Sequence, residues 1–309
     1  MSKKTKIPSF PKPILKWIGG KTQILHTVIN RFPREIQNYH EPFIGGGSVL
    51  LALLYTIQTG AISVAGTICA YDANPALIGV YKNIQSNPSE LLHKIQTLIC
   101  EYTQCTGTSV NRSTVSLEEA MQSKENYYYW CRKQYNSLDV SDRIGISGSA
   151  LFIFLNKTCF RGMFRTGPNG FNVPYGNYKN PEIINDTHLH EIHRLIQGVH
   201  FECAEFTDSL VQVKDGDFVY MDPPYAPENA TSFVGYTEAG FGLEKHMKLF
   251  ELCNTMSVEK KWMMSNADVP LVRHQLCSPA YRIESIVCKR SIHSKNPEAK
   301  ANEVIITNY

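Results

Sequence analysis

Short apolar runs alternate with turn residues near the start of the chain. Each run is too short for a buried helix or is bounded by glycine or an acidic residue, which indicates strands joined by a tight turn and a helix. In order, the pattern predicts a strand over 39–43, a glycine turn at 45–47, an apolar helix over 49–57 opened by Ser48, and a strand over 67–71 that ends at Asp72. This order is typical of the start of a doubly wound α/β sheet.

The pattern changes to polar and helical from about residue 82 to residue 197. Helical periodicity covers 89–102 and 116–135, an apolar helix is predicted over 149–155, and an irregular segment rich in Gly, Pro, Asn and aromatic residues follows over 159–180. The Thr- and Ser-rich stretch between Glu101 and Glu119 is predicted to be a flexible surface loop.

The strand pattern resumes in the last third of the chain. Strands are predicted over 217–221, 262–265, 281–288 and 303–308. We therefore predict one discontinuous α/β domain, formed by residues 1–81 and 181–309, with a helical insert at 82–180.

Composition adds little to this picture, but it excludes some classes. The chain has 309 residues, 43% of them hydrophobic and 19% charged, which is typical of a globular protein. The net charge is only +3, yet lysines crowd the N-terminus and basic residues recur near the C-terminus. If the two ends meet, they would form a basic rim that faces phosphates; solvated termini are the alternative.

The nine cysteines do not form a metal or disulfide pattern. The sequence has no CxxC pair, no signal peptide and no long apolar span. We therefore expect an intracellular protein, cytoplasmic or nucleoid-associated, whose thiols are reduced and mostly buried, with no membrane association.

The most informative stretch is Asp222-Pro223-Pro224-Tyr225, which follows the predicted strand 217–221. The prolines fix φ and bring no N–H, so the corner is rigid and rich in acceptors. The Asp222 carboxylate and the Pro223 carbonyl can accept hydrogen bonds from an amine, and Tyr225 offers a face for stacking. The corner suits a flat, amine-bearing base, although an ordinary turn after a strand can have a similar sequence.

Gly45, Gly46 and Gly47 form a turn before a helix N-terminus, where backbone N–H groups favour a carboxylate or phosphate. The spacing is not GxGxxG, which argues against a dinucleotide. An adenosine-containing ligand with a carboxylate tail fits, and Asp72 at the next strand end is placed to bind ribose hydroxyls. Close packing of helix on strand is the alternative explanation for the glycines.

Two other patterns only partly match known motifs, a P-loop and a zinc site. The segment from Lys16 to Thr22 lacks the first glycine of a P-loop, because that position is Leu15. His188, His190 and His193 lack the partners of HExxH or of a zinc deaminase, so we predict one helix surface and no metal site.

Together these motifs resemble the Dam-type DNA adenine methyltransferases, of the α group and D12 class. The resemblance spans almost the whole chain in order. It rests on Lys16-Trp17-Ile-Gly-Gly-Lys21, Glu41-Pro-Phe43-Ile-Gly45-Gly46-Gly47-Ser48, Asp72-Ala-Asn74, the stretches 156–165 and 170–178, Asp222-Pro-Pro-Tyr225, Ser265-Asn-Ala-Asp268, and the C-terminal stretches 289–292 and 302–309.

The resemblance implies a Rossmann-like sheet that binds S-adenosyl-L-methionine. Trp17 and Phe43 would flank the cofactor, the glycine turn would approach its methionine part, and Asp72 would hold its ribose. Asp222 would contact both the methionine amine and the target adenine. Lys21 belongs to the same motif and is assigned to the cofactor site, with a phosphate contact as its other predicted role.

The resemblance also implies double-stranded DNA as partner, read by a hairpin near 159–178, with the target adenine flipped onto Tyr225. Phe160 or Met163 would fill the gap left in the duplex. Arg165 is the main candidate for a bidentate guanine contact, Pro174 for a thymine methyl and Lys16 for the outer base pair. The remaining predicted DNA contacts are Arg161, Asn172, Tyr178, Lys179, Lys289 and Arg290, with Lys179, Lys289 and Arg290 on phosphates. We expect a monomer, since one chain carries every part.

One position departs from the family pattern. The chain has Arg161 where the enterobacterial GATC enzymes have asparagine, so the predicted target is a short palindrome, GATC or a relative such as CATG. Two other activities of the same fold are kept as alternatives. Glutamine methyltransferases carry Asn at the position of Asp222, and RNA adenine enzymes usually end this corner in Trp, where this chain has Tyr225. A DNA-binding homologue that has lost catalysis is the third reading.

Overall fold

A computed structural model describes residues 9–227, 240–289 and 300–309. The strands are β1 (Glu35–Ile36), β2 (Tyr39–Glu41), β3 (Ser63–Val64), β4 (Ile68–Asp72), β5 (Thr166–Gly167), β6 (Gly170–Phe171), β7 (Val199–Cys203), β8 (Phe218–Met221), β9 (Lys261–Ala267), β10 (Arg282–Lys289) and β11 (Lys300–Thr307). The helices are α1 (Leu25–Ile29), α2 (Ser48–Gln58), α3 (Pro75–Ser86), α4 (Pro88–Gln104), α5 (Leu117–Ala120), α6 (Lys124–Ser137), α7 (Val140–Ile144), α8 (Ile146–Thr158), α9 (Asp186–Leu195), α10 (Phe206–Val211), α11 (Leu243–Thr255) and α12 (Pro270–Gln275), with a 3-10 turn at Phe160–Gly162.

The central sheet has seven strands in the order β10-β11-β9-β8-β2-β4-β7. The five strands β9, β8, β2, β4 and β7 are parallel, and β11 and β10 are added antiparallel at one edge. The chain starts in the middle at β2, continues outward through β4 and β7, and then returns to the other side of β2 at β8. The strand order therefore reverses between β2 and β8, and such a switch point is where open α/β sheets bind ligands.

The side chains of β8 alternate between two hydrophobic cores. Phe218 and Tyr220 face one core, while Val219 and Met221 face the other. The first core is completed by helices that include α2, α3, α4, α6 and α8, and the second by α10, α11 and α12. Helices thus cover both faces, which explains why the central strands are continuous apolar runs. The predicted doubly wound, Rossmann-like fold is confirmed.

The structure corrects the predicted elements in three places. The helical pattern over 116–135 forms two helices, because the Ser123 hydroxyl accepts the Asn126 N–H and so starts α6 anew. Strand β7 was not predicted, although Val199–Cys203 alternates buried and more exposed residues as a half-covered strand does. The predicted reading segment contains a ladder of only two residue pairs, between β5 and β6.

The Thr- and Ser-rich stretch lies at the surface as predicted, but it is fastened to α6. The Ser123 hydroxyl donates to the Ser109 carbonyl at 2.6 Å, and the Asn111 N–H donates to Asn126 Oδ1 at 2.7 Å. The buried side chain of Thr114 adds a packing contact. These contacts attach the stretch to α6, and its flexibility stays a prediction.

Two further predictions concern the chain as a whole. Among the described cysteines the buried ones are in the majority, as expected: Cys69, Cys105, Cys131, Cys159 and Cys253. In the described part of the chain, every helix is too short or too polar to cross a lipid bilayer. The division into a catalytic domain and an insert at 82–180 stays a prediction.

Candidate active site

Three acidic residues meet at the carboxyl edge of the parallel strands. Glu41 ends β2, Asp72 ends β4, and Asp222 directly follows β8. Because β8, β2 and β4 are neighbours in the sheet, these carboxyl groups lie side by side at the switch point. The sequence patterns that located Asp72 and Asp222 therefore belong to one site.

The ammonium of Lys21 is buried against Asp222. Lys21 is only 4% exposed, and its Nζ lies 2.6 Å from Asp222 Oδ1. The same Nζ donates to the Gly19 carbonyl at 2.8 Å and lies 4.7 Å from the centre of the Tyr225 ring. Burial raises the pKa of Asp222, and the Lys21 charge opposes that rise. The predicted contact between Lys21 and a DNA phosphate is wrong in this geometry, because the ammonium faces Asp222 and is shielded from solvent.

The turn at 222–225 is held from two sides. The Ala226 N–H donates to the side-chain oxygen of the buried Asn266 at 3.1 Å. The Tyr225 hydroxyl donates to Glu303 Oε2 at 2.7 Å. Asn266 belongs to β9 and Glu303 to β11, so the next two strands of the sheet beside β8 fix the corner that follows it. Sequence reasoning assigned neither contact, because the partners lie 40 and 78 residues away along the chain.

Glu41 is a buried acid beside Asp222 that sequence reasoning named only as part of a motif. Its Oε2 accepts the Tyr39 hydroxyl at 2.7 Å. Burial raises the pKa of Glu41 to about 8; the hydrogen bond from Tyr39 opposes the rise and the charge of Asp222 adds to it. Glu41 is therefore mainly protonated at pH 7, which avoids a second negative charge next to Asp222.

This protonation predicts a pH-dependent stability difference for Glu41→Gln. A raised folded-state pKa means that the folded protein keeps a proton that the unfolded chain loses, so wild-type stability falls as the pH rises towards 8. Gln has no such proton, so the stability of the variant relative to wild type should rise by about 2 kcal/mol between pH 6 and pH 8. Denaturant unfolding at the two pH values measures it. The exposed Glu118→Gln is the matched control, and a pH-independent difference for Glu41→Gln would contradict the assignment.

The glycine turn is shaped by Trp17. A Cβ on Gly45 would lie 2.8 Å from Trp17 Cδ1, and a Cβ on Gly46 would lie 2.8 Å from Trp17 Cβ. A Cβ on Gly47, whose φ is +74°, would lie 2.7 Å from the Tyr81 hydroxyl. Larger residues would push Trp17 and Tyr81 away. Close packing of side chains is thus one cause of the glycines.

Asp72 and the turn are linked directly. Asp72 accepts the Gly45 N–H at 3.1 Å and the Asn74 N–H at 3.0 Å. Burial raises the pKa of Asp72 to about 6, while the hydrogen bonds from Asn74 and Gly45 oppose the rise. Asp72 is therefore mainly a carboxylate at pH 7, and it keeps lone pairs for further donors.

The two aromatic residues predicted at the cofactor site lie on different faces of the sheet. Trp17 stacks on Phe164, with ring centres 5.9 Å apart, against the first core. Phe43 stacks on Phe206, with ring centres 5.6 Å apart, against the second core. Both rings are partly buried, and only Ile44 separates Phe43 from the glycine turn. One aromatic residue therefore borders the strand ends on each side.

The predicted reading residues are brought together on an exposed loop after α8. Arg165 Nε donates to Asn172 Oδ1 at 2.7 Å, and the Asn172 N–H donates to the Arg165 carbonyl at 3.0 Å. Both residues and Pro174 are exposed. A second hydrogen bond, of 3.4 Å, runs from Arg165 Nη2 to the Asn172 carbonyl, so Asn172 fixes the plane of the guanidinium through two of its nitrogens.

Helix α6 supports this loop from below with residues spaced four apart. The Asn136 amide makes two hydrogen bonds to the backbone of Phe171, at 3.0 and 2.8 Å. The Tyr128 hydroxyl and an Arg132 nitrogen donate to the Val173 carbonyl at 2.7 and 3.3 Å. Residues i, i+4 and i+8 share one helix face, so one side of α6 holds the backbone on either side of Asn172.

A second exposed group surrounds Tyr178. The Arg161 N–H donates to the Tyr178 hydroxyl at 2.8 Å, and Lys16 Nζ lies 4.4 Å from the centre of the Tyr178 ring. Arg161 has φ of +57°, a backbone conformation that Asn adopts more readily than Arg. Phe160 beside it is 43% exposed. Lys16, Phe160, Arg161 and Tyr178 thus form one surface.

Asn156 connects this surface to the N-terminal motif. Its side chain makes a hydrogen bond of 2.8 Å to both the N–H and the carbonyl of Lys16, and its amide also donates to the Gly162 carbonyl at 3.2 Å. Asn156 is 3% exposed, so these bonds are shielded from water. Met163 is partly buried against the first core, which favours Phe160 over Met163 as the residue that fills a gap in a duplex.

The remaining predicted residues are distributed as follows. Lys179 is exposed next to Tyr178. Lys289 ends β10, whereas Arg290 and the lysines Lys3, Lys4, Lys6 and Lys295 lie outside the described residues, so the basic rim stays a prediction. His188, His190 and His193 all belong to α9, as predicted, and their imidazoles contact the Lys12 carbonyl, Asp186 and the Ile84 carbonyl.

Comparison with known proteins places this site in a family. A family model described as D12 class N6 adenine-specific DNA methyltransferase matches residues 17–292. The chain is 33% identical to the type II methyltransferase M.MjaIII of Methanocaldococcus jannaschii over 96% of its length and 99% of that protein. It is 31% identical to the retron Ec67 DNA adenine methylase of Escherichia coli, over 95% and 90% of the two chains. With the DNA adenine methylase of Escherichia coli K12 the identity is 28%, over 96% and 95%. The chain therefore belongs to the D12 class of N6 adenine-specific DNA methyltransferases.

Proposed function

We propose that this protein transfers a methyl group from S-adenosyl-L-methionine to the exocyclic amine of an adenine flipped out of a short palindromic duplex site. The observation that carries the proposal is the corner at 222–225. A partly buried carboxylate, a proline carbonyl and an aromatic ring lie together at the switch point of the sheet, in one turn that Asn266 and Glu303 hold. These are the groups that a flipped adenine requires: acceptors for its amine and a face for its ring.

The residues at the strand ends fit the cofactor. The glycine turn supplies no side-chain cap to the N-terminus of α2, where the backbone N–H groups favour a carboxylate. Asp72 is a carboxylate at neutral pH with lone pairs for ribose hydroxyls. Asp222 would accept the methionine amine, and Trp17 and Phe43 would border the adenosine. The cofactor supplies an electrophilic methyl group.

The chain's own residues then act by position and electrostatics. The amine of adenine is a weak nucleophile because its lone pair is conjugated with the ring. Hydrogen bonds from that amine to Asp222 and to the Pro223 carbonyl favour a pyramidal nitrogen with its lone pair directed at the methyl carbon. The amine loses a proton only after it has gained the methyl group, so Asp222 does not need to be a strong base. Negative charge on Asp222 stabilises the positive charge that develops on the nitrogen.

The exposed loop supports recognition of duplex DNA. Arg165 and Asn172 present a fixed guanidinium edge, which matches the O6 and N7 acceptors of guanine in the major groove. Lys16, Arg161 and Tyr178 form the neighbouring surface, where Phe160 is exposed enough to enter the base stack. We propose GATC or a relative such as CATG as the target, with Arg161 as the residue that separates the two.

In vitro methylation with labelled S-adenosyl-L-methionine tests the proposal. The substrates are duplex DNA that contains all short palindromes, a structured RNA and a protein extract. We expect label in duplex DNA alone, recovered as N6-methyladenine after digestion to nucleosides. Label in RNA or protein would support the other activities of this fold. Binding of the cofactor without transfer to any substrate would support a homologue that has lost catalysis.

A further inference from the structure

The Tyr225 ring is tethered at its outer end by a residue from the last strand of the chain. Its hydroxyl donates to Glu303 Oε2 at 2.7 Å. Glu303 is partly buried and lies on β11, paired in register with Ala267 of β9. The carboxyl end of β9 and the corner after β8 therefore lie at the same edge of the sheet, and Glu303 reaches the corner from there.

The hydrogen bond to Glu303 restricts the side-chain torsions of Tyr225, which the two prolines do not fix. Pro223 and Pro224 fix the backbone of the corner, but two side-chain torsions of Tyr225 still decide where its ring lies. A hydrogen bond from the phenol to a carboxylate is charge-assisted and directional, so it holds the ring at the end farthest from the backbone. Lys21 Nζ lies 4.7 Å from the centre of the same ring. The ring is thus held at its outer end by Glu303 and covered in part by the cation that pairs with Asp222.

We propose that Glu303 is a positioning residue for Tyr225, which fixes the ring on which the flipped adenine stacks. The inference rests on the proposed function, because it assigns a use to a contact within that site. Through the ring, Glu303 places the adenine so that its amine meets Asp222. A ring free to rotate would still allow DNA to bind, since phosphate and groove contacts lie elsewhere, but fewer bound complexes would be aligned for transfer.

A double-mutant cycle separates this role from two others. Glu303 also adds negative charge near Asp222, and its backbone belongs to a strand ladder. The variants are Glu303→Ala, Glu303→Gln, Tyr225→Phe and Tyr225→Phe/Glu303→Ala, with Glu202→Ala on the far edge strand β7 as control. The measurements are kcat, KM for duplex DNA, the dissociation constant of S-adenosylmethionine and the unfolding midpoint.

We expect Glu303→Ala and Tyr225→Phe to lower kcat about tenfold each, with KM and cofactor affinity within about twofold of wild type. The double variant should lose no more than either single variant, because both remove the same hydrogen bond. Glu303→Gln, whose amide oxygen still accepts the phenol, should keep most of the activity. If Glu303→Ala is unstable, Glu303→Leu, which also has no acceptor for the phenol, replaces it in the cycle.

Two results would overturn the inference. Glu303→Ala could lower kcat as strongly in the Tyr225→Phe background as in wild type, which would mean a direct electrostatic effect on Asp222. Alternatively, Glu303→Ala could leave kcat unchanged. Failure of the proposed function is distinct from both, because the wild-type protein itself would then transfer no methyl group to adenine.

Discussion

Replacement of Asp222 by alanine is expected to lower methyl transfer by at least about a hundredfold and to leave the fold intact. Asp222 is the carboxylate that both the adenine amine and the methionine amine would use, and its neighbour Glu41 is mainly protonated and cannot substitute for its charge. The measurement is single-turnover transfer of labelled methyl to duplex DNA. Asp215→Asn, an exposed site in the loop before β8, is the control for a change of acidic residue nearby.

The same substitution leaves the Lys21 ammonium without its closest counter-charge. A buried charge that loses its partner destabilises a protein, so the variant should be less stable by about 3–5 kcal/mol. Denaturant unfolding therefore accompanies the kinetic measurement. Transfer at the wild-type rate by folded Asp222→Ala would refute the assigned role of the corner.

Replacement of Arg165 by alanine is expected to lower the discrimination between the correct and a wrong base pair, at one position of the target, by about 1–3 kcal/mol. Its guanidinium is held by Asn172 and presents its remaining donors at the surface. The measurement is kcat/KM on a set of duplexes that differ from the preferred site by one base pair each. Asn172→Ala should relax the same position to a smaller extent, because it removes the support and keeps the arginine.

Lys179→Ala is the control for Arg165, since Lys179 is an exposed cation predicted to contact a phosphate. Lys179→Ala should weaken the binding of all duplexes about equally. If Arg165→Ala also lowers kcat/KM equally for all duplexes, Arg165 contacts a phosphate and another residue must read the guanine.

The strand ends of the site were predictable because each chemical group follows a short apolar run directly. Asp72 is the last residue of β4 and Asp222 is the first residue after β8, and parallel strands bring such positions to one edge of the sheet. The glycine turn was predictable for the same reason. The reason for the glycines was predicted only in part. They make room for Trp17 and Tyr81, which lie at least 28 and 34 positions away along the chain.

The supporting contacts were not predictable from local pattern. Asn156 joins Lys16 across 140 residues, Asn136 holds Phe171 across 35, and Glu303 reaches Tyr225 across 78. An Asn or Glu side chain looks the same in the sequence whether it is solvated or fixes a loop. The burial of Lys21 was likewise not predictable, because Lys21 directly follows Gly19 and Gly20 in a pattern typical of a surface turn. Only the fold brings Asp222 next to it.

The most direct test of the central claim is expression in a host that lacks adenine methylation, followed by single-molecule sequencing of the host DNA. We predict full N6 modification of adenine at one short palindrome and none elsewhere. GATC as that palindrome would show that Arg161 is compatible with the enterobacterial target, and CATG would mark Arg161 as the residue behind the change. Unmodified DNA from cells that contain folded protein with bound S-adenosylmethionine would contradict the account.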